Sequence, residues 1–131
     1  MNEKITPFIT FCDTIHALRI TGGCPWDQKQ TSQSLKKYIL EETSELLEAI
    51  DANDAEHICE EAGDILFLIA LLAEIHKENN AFTMDDIIST ITSKMIRRHP
   101  HVFGSSTAST EEELNAQWEK IKSEERAKKT N

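Results

Sequence analysis

LEETSELLEAIDANDAEHICEEAGDILFLIALLAEI, residues 40–75, decides how the chain folds. Leu46, Ala49 and Ile50, with Leu35 and Ile39 just upstream, recur at three- and four-residue intervals. Ile58, Ile65, Leu68, Leu72 and Ile75 do the same further on. That is the period of one helical face, and Asn53-Asp54 interrupts it with residues suited to a tight joint and an N-cap. The stretch therefore reads as two long antiparallel helices, about Thr31 or Ser32 to Ala52 and Asp54 to Asn79, joined as a hairpin.

Breakers are rare outward from this hairpin: four glycines and three prolines in 131 residues. Thr6-Pro7 opens a first helix to about Ile20, and Gly22 to Asp27 reads as a turn. Thr83 can cap a helix that ends before Pro100, and 104–110 is a small-residue loop. Thr110 with Glu113 forms a capping-box pattern that opens a last helix to about Arg126, followed by a short frayed tail. No alternating strand pattern, repeat or low-complexity segment occurs. The expectation is an all-α helical bundle in one domain, residues 1–131 with a core of about 5–126.

The net charge is -9, which argues against a nucleic-acid partner. Three cysteines without a Cys-x-x-Cys pair argue against a disulfide framework or a zinc knuckle, and fit a reduced, cytoplasmic setting. Cys24 and Cys59 read as small apolar fillers. The longest apolar run, Ile65 to Ala73, is too short to span a bilayer, so no membrane partner is expected.

The acid is unevenly placed. Ten Asp or Glu residues and no Lys or Arg lie between Glu41 and Asp64. Projected at roughly 100° per residue, Glu42 falls inside the apolar stripe of its helix and Glu45 at the edge. Glu61 falls inside the stripe of the next helix, and Asp64 on the same side. Glu48, Glu56, Glu60, Glu74 and Glu78 take the outer faces. Glu42/Glu45 and Glu61/Asp64 are both i, i+3 pairs, one turn apart. An unpaired buried carboxylate costs several kcal/mol, and a divalent cation is the natural compensation. An all-oxygen set suits Mg²⁺, with Mn²⁺ or Ca²⁺ as alternatives. No Glu-x-x-His occurs, which disfavours a di-iron bundle, and no G-x-x-x-x-G-K-[ST] loop is present.

Glu41-Glu42-x-x-Glu45 followed by Glu61-x-x-Asp64 resembles the EExxE…ExxD signature of the MazG nucleotide pyrophosphohydrolases. The flanking words also resemble that family: Cys24-Pro25-Trp26-Asp27, Gly63-Asp64-Ile65-Leu66-Phe67, Arg97-Arg98-His99-Pro100-His101-Val102-Phe103, and Trp118-Glu119-Lys120-Ile121-Lys122 with Glu124-Glu125-Arg126. The resemblance runs from about Phe8 to Arg126.

It implies an all-α homo-oligomer, dimer or tetramer, that hydrolyses nucleoside triphosphates with Mg²⁺ to monophosphate and pyrophosphate. It implies metal ligation by Glu42, Glu45, Glu61 and Asp64. Glu41 or Glu45 would then activate water. Nucleotide binding would fall to Lys94, Arg98, Trp118 and Lys122, with Arg97 beside them. A narrow enzyme for one nucleotide, such as dUTP or dCTP, and a cation-binding helical adaptor without activity are the alternatives. Lys94, Arg97 and Arg98 also sit where any helix C-terminus favours cations. His99 and His101 flank Pro100 as a structural corner, and Trp26 reads as the anchor of its turn.

Overall fold

The computed structural model describes residues 6–129. All regular structure among them is helical: α1 Pro7–Arg19, α2 Pro25–Lys29, α3 Ser32–Asp51, α4 Ala55–Glu78, α5 Met84–Arg98, α6 Pro100–Phe103 and α7 Glu111–Lys129. Two compact units result, Met1–Met84 and Asp85–Asn131. None of these helices is long and apolar enough to cross a membrane. Residue 5, where the core was expected to begin, lies outside the described residues.

In the first unit α3 and α4 form the hairpin. Thr31 caps α3 reciprocally: its hydroxyl accepts from Ser34 N at 3.1 Å, and its own N–H donates to Ser34 Oγ at 2.9 Å. Asn53 turns the chain with φ 52°, a left-handed value that Asn tolerates. Asp54 then caps α4 by accepting from His57 N at 3.2 Å. Helix α1 runs along α4 in the same direction: His16 Nδ1 meets Glu74 Oε2 at 2.9 Å, and one turn on Arg19 Nε donates to Glu78 Oε2 at 2.7 Å. Glu74 is thus half-buried under α1 instead of facing solvent as its position on α4 suggests.

Ile15, Leu35, Leu68, Ala70, Leu71 and Ile75 make the core. Phe11, Leu18, Trp26, Tyr38, Phe67 and Met84 pack around it. Helix α4 is buried over more of its circumference than one stripe because α1 and α3 both pack on it.

Two expectations need correction here. The segment read as a turn continues into helix α2 from Pro25, because proline at the first helical position pre-sets the backbone. Gly23 permits this close tuck, since a Cβ there would collide with the carbonyl oxygens of Ala17 and Leu18. Cys59 is exposed and fills no core.

In the second unit the tail expected to fray after Arg126 stays helical to Lys129. Thr110 Oγ1 accepts from Glu113 N at 3.2 Å, but the Glu113 carboxylate reaches Ser109 N, at 3.4 Å, one residue before the expected partner. The short helix α6 begins at Pro100, and His99 Nδ1 meets Met95 O at 2.5 Å. Gln117 Nε2 pairs with His101 Nδ1 at 3.1 Å, so the His-Pro-His segment is indeed a structural corner.

Candidate metal centre

Glu42, Glu45 and Glu61 come together on the facing sides of α3 and α4. One carboxylate oxygen from each lies within 4.8 Å of the others. Glu61 is buried at 5% exposure, Glu42 is half-buried and Glu45 is exposed, so the cluster runs from the hairpin interior out to solvent. Oε2 of Glu42 and Oε2 of Glu61 are buried without a hydrogen-bond partner among the described residues. Buried carboxylate oxygens are normally satisfied, and two such orphans in one cluster suit a hard cation by charge and donor type.

The titration behaviour has the same origin. Burial first, then a proton shared with Glu61 and the charges of Glu45 and Asp64, push Glu42 up to about 7. Glu45 is also raised, chiefly through its hydrogen bond and charge interaction with Glu61. Burial would raise Glu61 as well, but hydrogen bonds from Glu42, Glu45 and His57 outweigh it and hold Glu61 below the ordinary carboxylate value. Three carboxylates this close cannot all ionise without a positive partner.

Asp64 is exposed and stands outside this three-residue group, although its charge reaches Glu42 and Glu45. With Glu42 it lines an adjoining pocket of about 210 Å³ whose other walls are Trp26, Tyr38, Phe67 and Leu68. Glu41 faces solvent, outside the group. Sequence reasoning missed His57, whose Nε2 lies 3.1 Å from Glu61 Oε1. The i, i+4 spacing from His57 to Glu61 was the available signal. Tyr38 and Phe67 were also missed as pocket walls, Phe67 having been noted only within the Gly63-Asp64-Ile65-Leu66-Phe67 word.

The second unit gathers the predicted cations. Lys94, Arg97 and Arg98 line a pocket of about 500 Å³ with Ser89, Ser93 and Glu125. Arg97 Nε and Arg98 Nη2 donate to Glu125 at 2.5 and 2.8 Å. These hydrogen bonds hold the Glu125 carboxyl down at about 2. The Arg98 guanidinium lies 5.1 Å from the Trp118 ring centre, and His99 meets that ring edge-on at 6.0 Å. Trp118 is therefore half-buried and already contacted on its face. Lys122 pairs with Glu119 at 2.9 Å, and Lys94 has no ion pair to another described residue. Glu125 stood in the sequence only as part of the Glu124-Glu125-Arg126 word, and its pairing could not be read there because its arginines lie 27 and 28 residues away.

A family model described as the MazG nucleotide pyrophosphohydrolase domain matches residues 30–103. YabN of Bacillus subtilis, described as uncharacterized, is 50% identical over 119 residues, 91% of this chain and 24% of its own length. The nucleoside triphosphate pyrophosphohydrolase/pyrophosphatase MazG of Thermotoga maritima is 44% identical over 98% of this chain and 49% of its own length. The nucleoside triphosphate pyrophosphohydrolase of Escherichia coli K12 is 46% identical over 82% of this chain and 41% of its own. The chain thus spans between about a quarter and a half of the length of these curated relatives. The crystal structure of a mazG-related protein from Thermotoga maritima superposes with a TM-score of 0.72 at 26% identity, covering 87% of this chain and 97% of that one.

Proposed function

The chain belongs to the MazG nucleotide pyrophosphohydrolase family, and on that premise we propose that it hydrolyses nucleoside triphosphates to monophosphate and pyrophosphate at the α3/α4 carboxylates. The observation that carries this reading is the pair of buried, partnerless oxygens on Glu42 and Glu61 within a three-carboxylate cluster. Glu42, Glu45 and Glu61 would hold Mg²⁺, with Asp64 completing the set one turn beyond Glu61; Mn²⁺ would substitute. Bound there, the ion would offset the negative charge of a triphosphate and the charge developing on the leaving pyrophosphate.

The chain's own residues do the rest. Glu41 or Glu45 takes the proton of the attacking water. The water oxygen bonds to the α-phosphorus as the bond to the bridging oxygen breaks in line, and pyrophosphate departs. Lys94, Arg97, Arg98, Trp118 and Lys122 are proposed to bind the nucleotide, the cations through phosphate. Glu125 pairs with both arginines, so an incoming phosphate competes with it.

A second copy of the chain is proposed to cover α3. Leu40 and Leu47, seven residues apart on one face, are 70% and 58% exposed, and Ile50 continues the stripe. Leu66 and Ile69 on α4 are also exposed. Apolar side chains in such a row mark an interaction surface.

The test is pyrophosphate release from a panel of ribo- and deoxynucleoside triphosphates, with and without Mg²⁺. Mg²⁺-dependent release across the panel is expected. Release from one base alone would replace this reading by a narrow-specificity enzyme, and no release at all would leave a cation-binding helical protein.

A further inference from the structure

We propose that His57 is a positioning residue for the carboxylate cluster: its imidazole N–H holds one oxygen of Glu61 and so commits the other, buried oxygen to a cation. This rests on the reading above that the α3/α4 carboxylates hold a divalent ion, and adds which residue of this chain sets how Glu61 is presented. The two oxygens of Glu61 differ. Oε1 lies 3.1 Å from Nε2 of His57, one helical turn earlier on α4. Oε2 is buried without a hydrogen-bond partner among the described residues. A carboxylate that binds a cation is ionised and only accepts hydrogen bonds, so the contact at Oε1 requires the proton of His57 to sit on Nε2. With Oε1 taken, Oε2 is the oxygen left for a cation shared with Glu42 and Glu45.

The residue type suits this task. Residues 41–64 contain no Lys or Arg and a single histidine, and that histidine is the one touching Glu61. A lysine or arginine in its place would bring a fixed charge and compete with the cation for the carboxylate. An imidazole can supply the N–H without a charge, so the charge of Glu61 stays available to the ion. A hydrogen bond behind a metal-binding side chain fixes its orientation in advance, and that is what it contributes to affinity.

His57 is itself held in place. Its backbone N–H donates to Oδ1 of Asp54, the N-cap of α4, at 3.2 Å. Asp54 directly follows Asn53, the left-handed residue that turns the hairpin. Asp54, His57 and Glu61 thus form a line of contacts from the hairpin joint to the carboxylates. The imidazole is half-buried at the rim of the cluster while Glu61 lies inside it, so His57 can be exchanged without opening the core.

The experiment compares wild type with His57→Ala, which removes the donor, and His57→Gln, whose amide offers an N–H at a similar reach. Mn²⁺ is the probe: its EPR signal reads binding, pulsed EPR reads the ligand atoms, and circular dichroism follows helical content. His57→Ala should weaken Mn²⁺ binding about 10- to 100-fold at unchanged helical content. His57→Gln should recover most of that loss, and the wild-type spectrum should show no nitrogen bound to Mn²⁺. The Mg²⁺ concentration for half-maximal turnover should rise in His57→Ala more than the rate at saturating Mg²⁺ falls. Mn²⁺ affinity in His57→Ala within twofold of wild type would overturn the proposal. Equal losses in both variants would overturn it too, since the ring would then act by packing. A directly bound imidazole nitrogen would overturn it by making His57 a ligand. A wild type that binds no Mn²⁺ would strike the metal reading and this proposal together. One that binds Mn²⁺ but releases no pyrophosphate would strike the hydrolase reading alone, and the binding comparison would still judge His57.

Discussion

Glu42 on α3 and Glu61 on α4 face each other across the hairpin, with donor oxygens inside a 4.8 Å group, and each buries an Oε2 that no described residue satisfies. The pair is a cost to the folded chain until a cation is bound. Mg²⁺ should therefore raise the melting temperature, by an amount corresponding to about 2.7 kcal/mol at a hundredfold excess over Kd. Glu61→Gln should melt lower than wild type without metal, because the hydrogen bonds from Glu42, Glu45 and His57 that hold its carboxyl below the ordinary value are weakened. It should lose the Mg²⁺ increment and about 10²–10³-fold in kcat/KM, the scale of one preorganised electrostatic contact. Calorimetric melts with and without Mg²⁺ check both halves; an intact increment in Glu61→Gln would remove Glu61 from the metal set.

Glu41 stands apart from the carboxylate group and faces solvent. If it takes the proton of the attacking water, Glu41→Gln should lower kcat by about 10²–10⁴-fold while the Mg²⁺-induced rise in melting temperature persists. Wild-type turnover in that variant would leave Glu45 as the base.

Lys94 lines the basic pocket of the second unit without an ion pair to any described residue. Lys94→Ala should raise KM for triphosphates roughly 10- to 100-fold, as expected for loss of a hydrogen bond to a charged group. Thermal stability should barely change. A KM within twofold of wild type would exclude Lys94 from substrate binding.

Glu125 makes the stability of the second unit depend on pH. Its carboxyl sits at about 2 in the folded chain against an ordinary 4.5, held down by Arg98 and Arg97. The stabilisation is complete above 4.5, where the unfolded chain is also ionised, and is lost as pH falls toward 2. Wild type should therefore melt above Glu125→Gln by a constant margin at neutral pH, and the margin should shrink below 4.5. A margin independent of pH would mean that the two hydrogen bonds, not the charge, do the stabilising.

Leu47 tests the α3 face. Leu47→Glu should convert a wild-type oligomer to a species of lower mass in sedimentation while the helical content stays the same. A wild type that sediments as a monomer would leave the exposed leucines without a second copy to cover them.

The sequence by itself determined the long helices and the acid pairs, because both depend on spacing along one chain. The period of Leu35 to Ile50 and of Ile58 to Ile75 defined the hairpin, with Thr31 and Asp54 as its caps, and the same period singled out Glu42, Glu45, Glu61 and Asp64. Burial required other elements. Only packing of α1 against α4 put Glu74 under His16, and only the docking of α2, latched by Arg19, brought Trp26 beside Tyr38. Periodicity placed all four acids on facing sides, yet the tertiary structure grouped three and set Asp64 in the aromatic pocket wall. A helical projection gives the angle around an axis. How deep each carboxylate lies, and which oxygen finds a partner, depends on the neighbouring helix, and that is decided only when the chain packs.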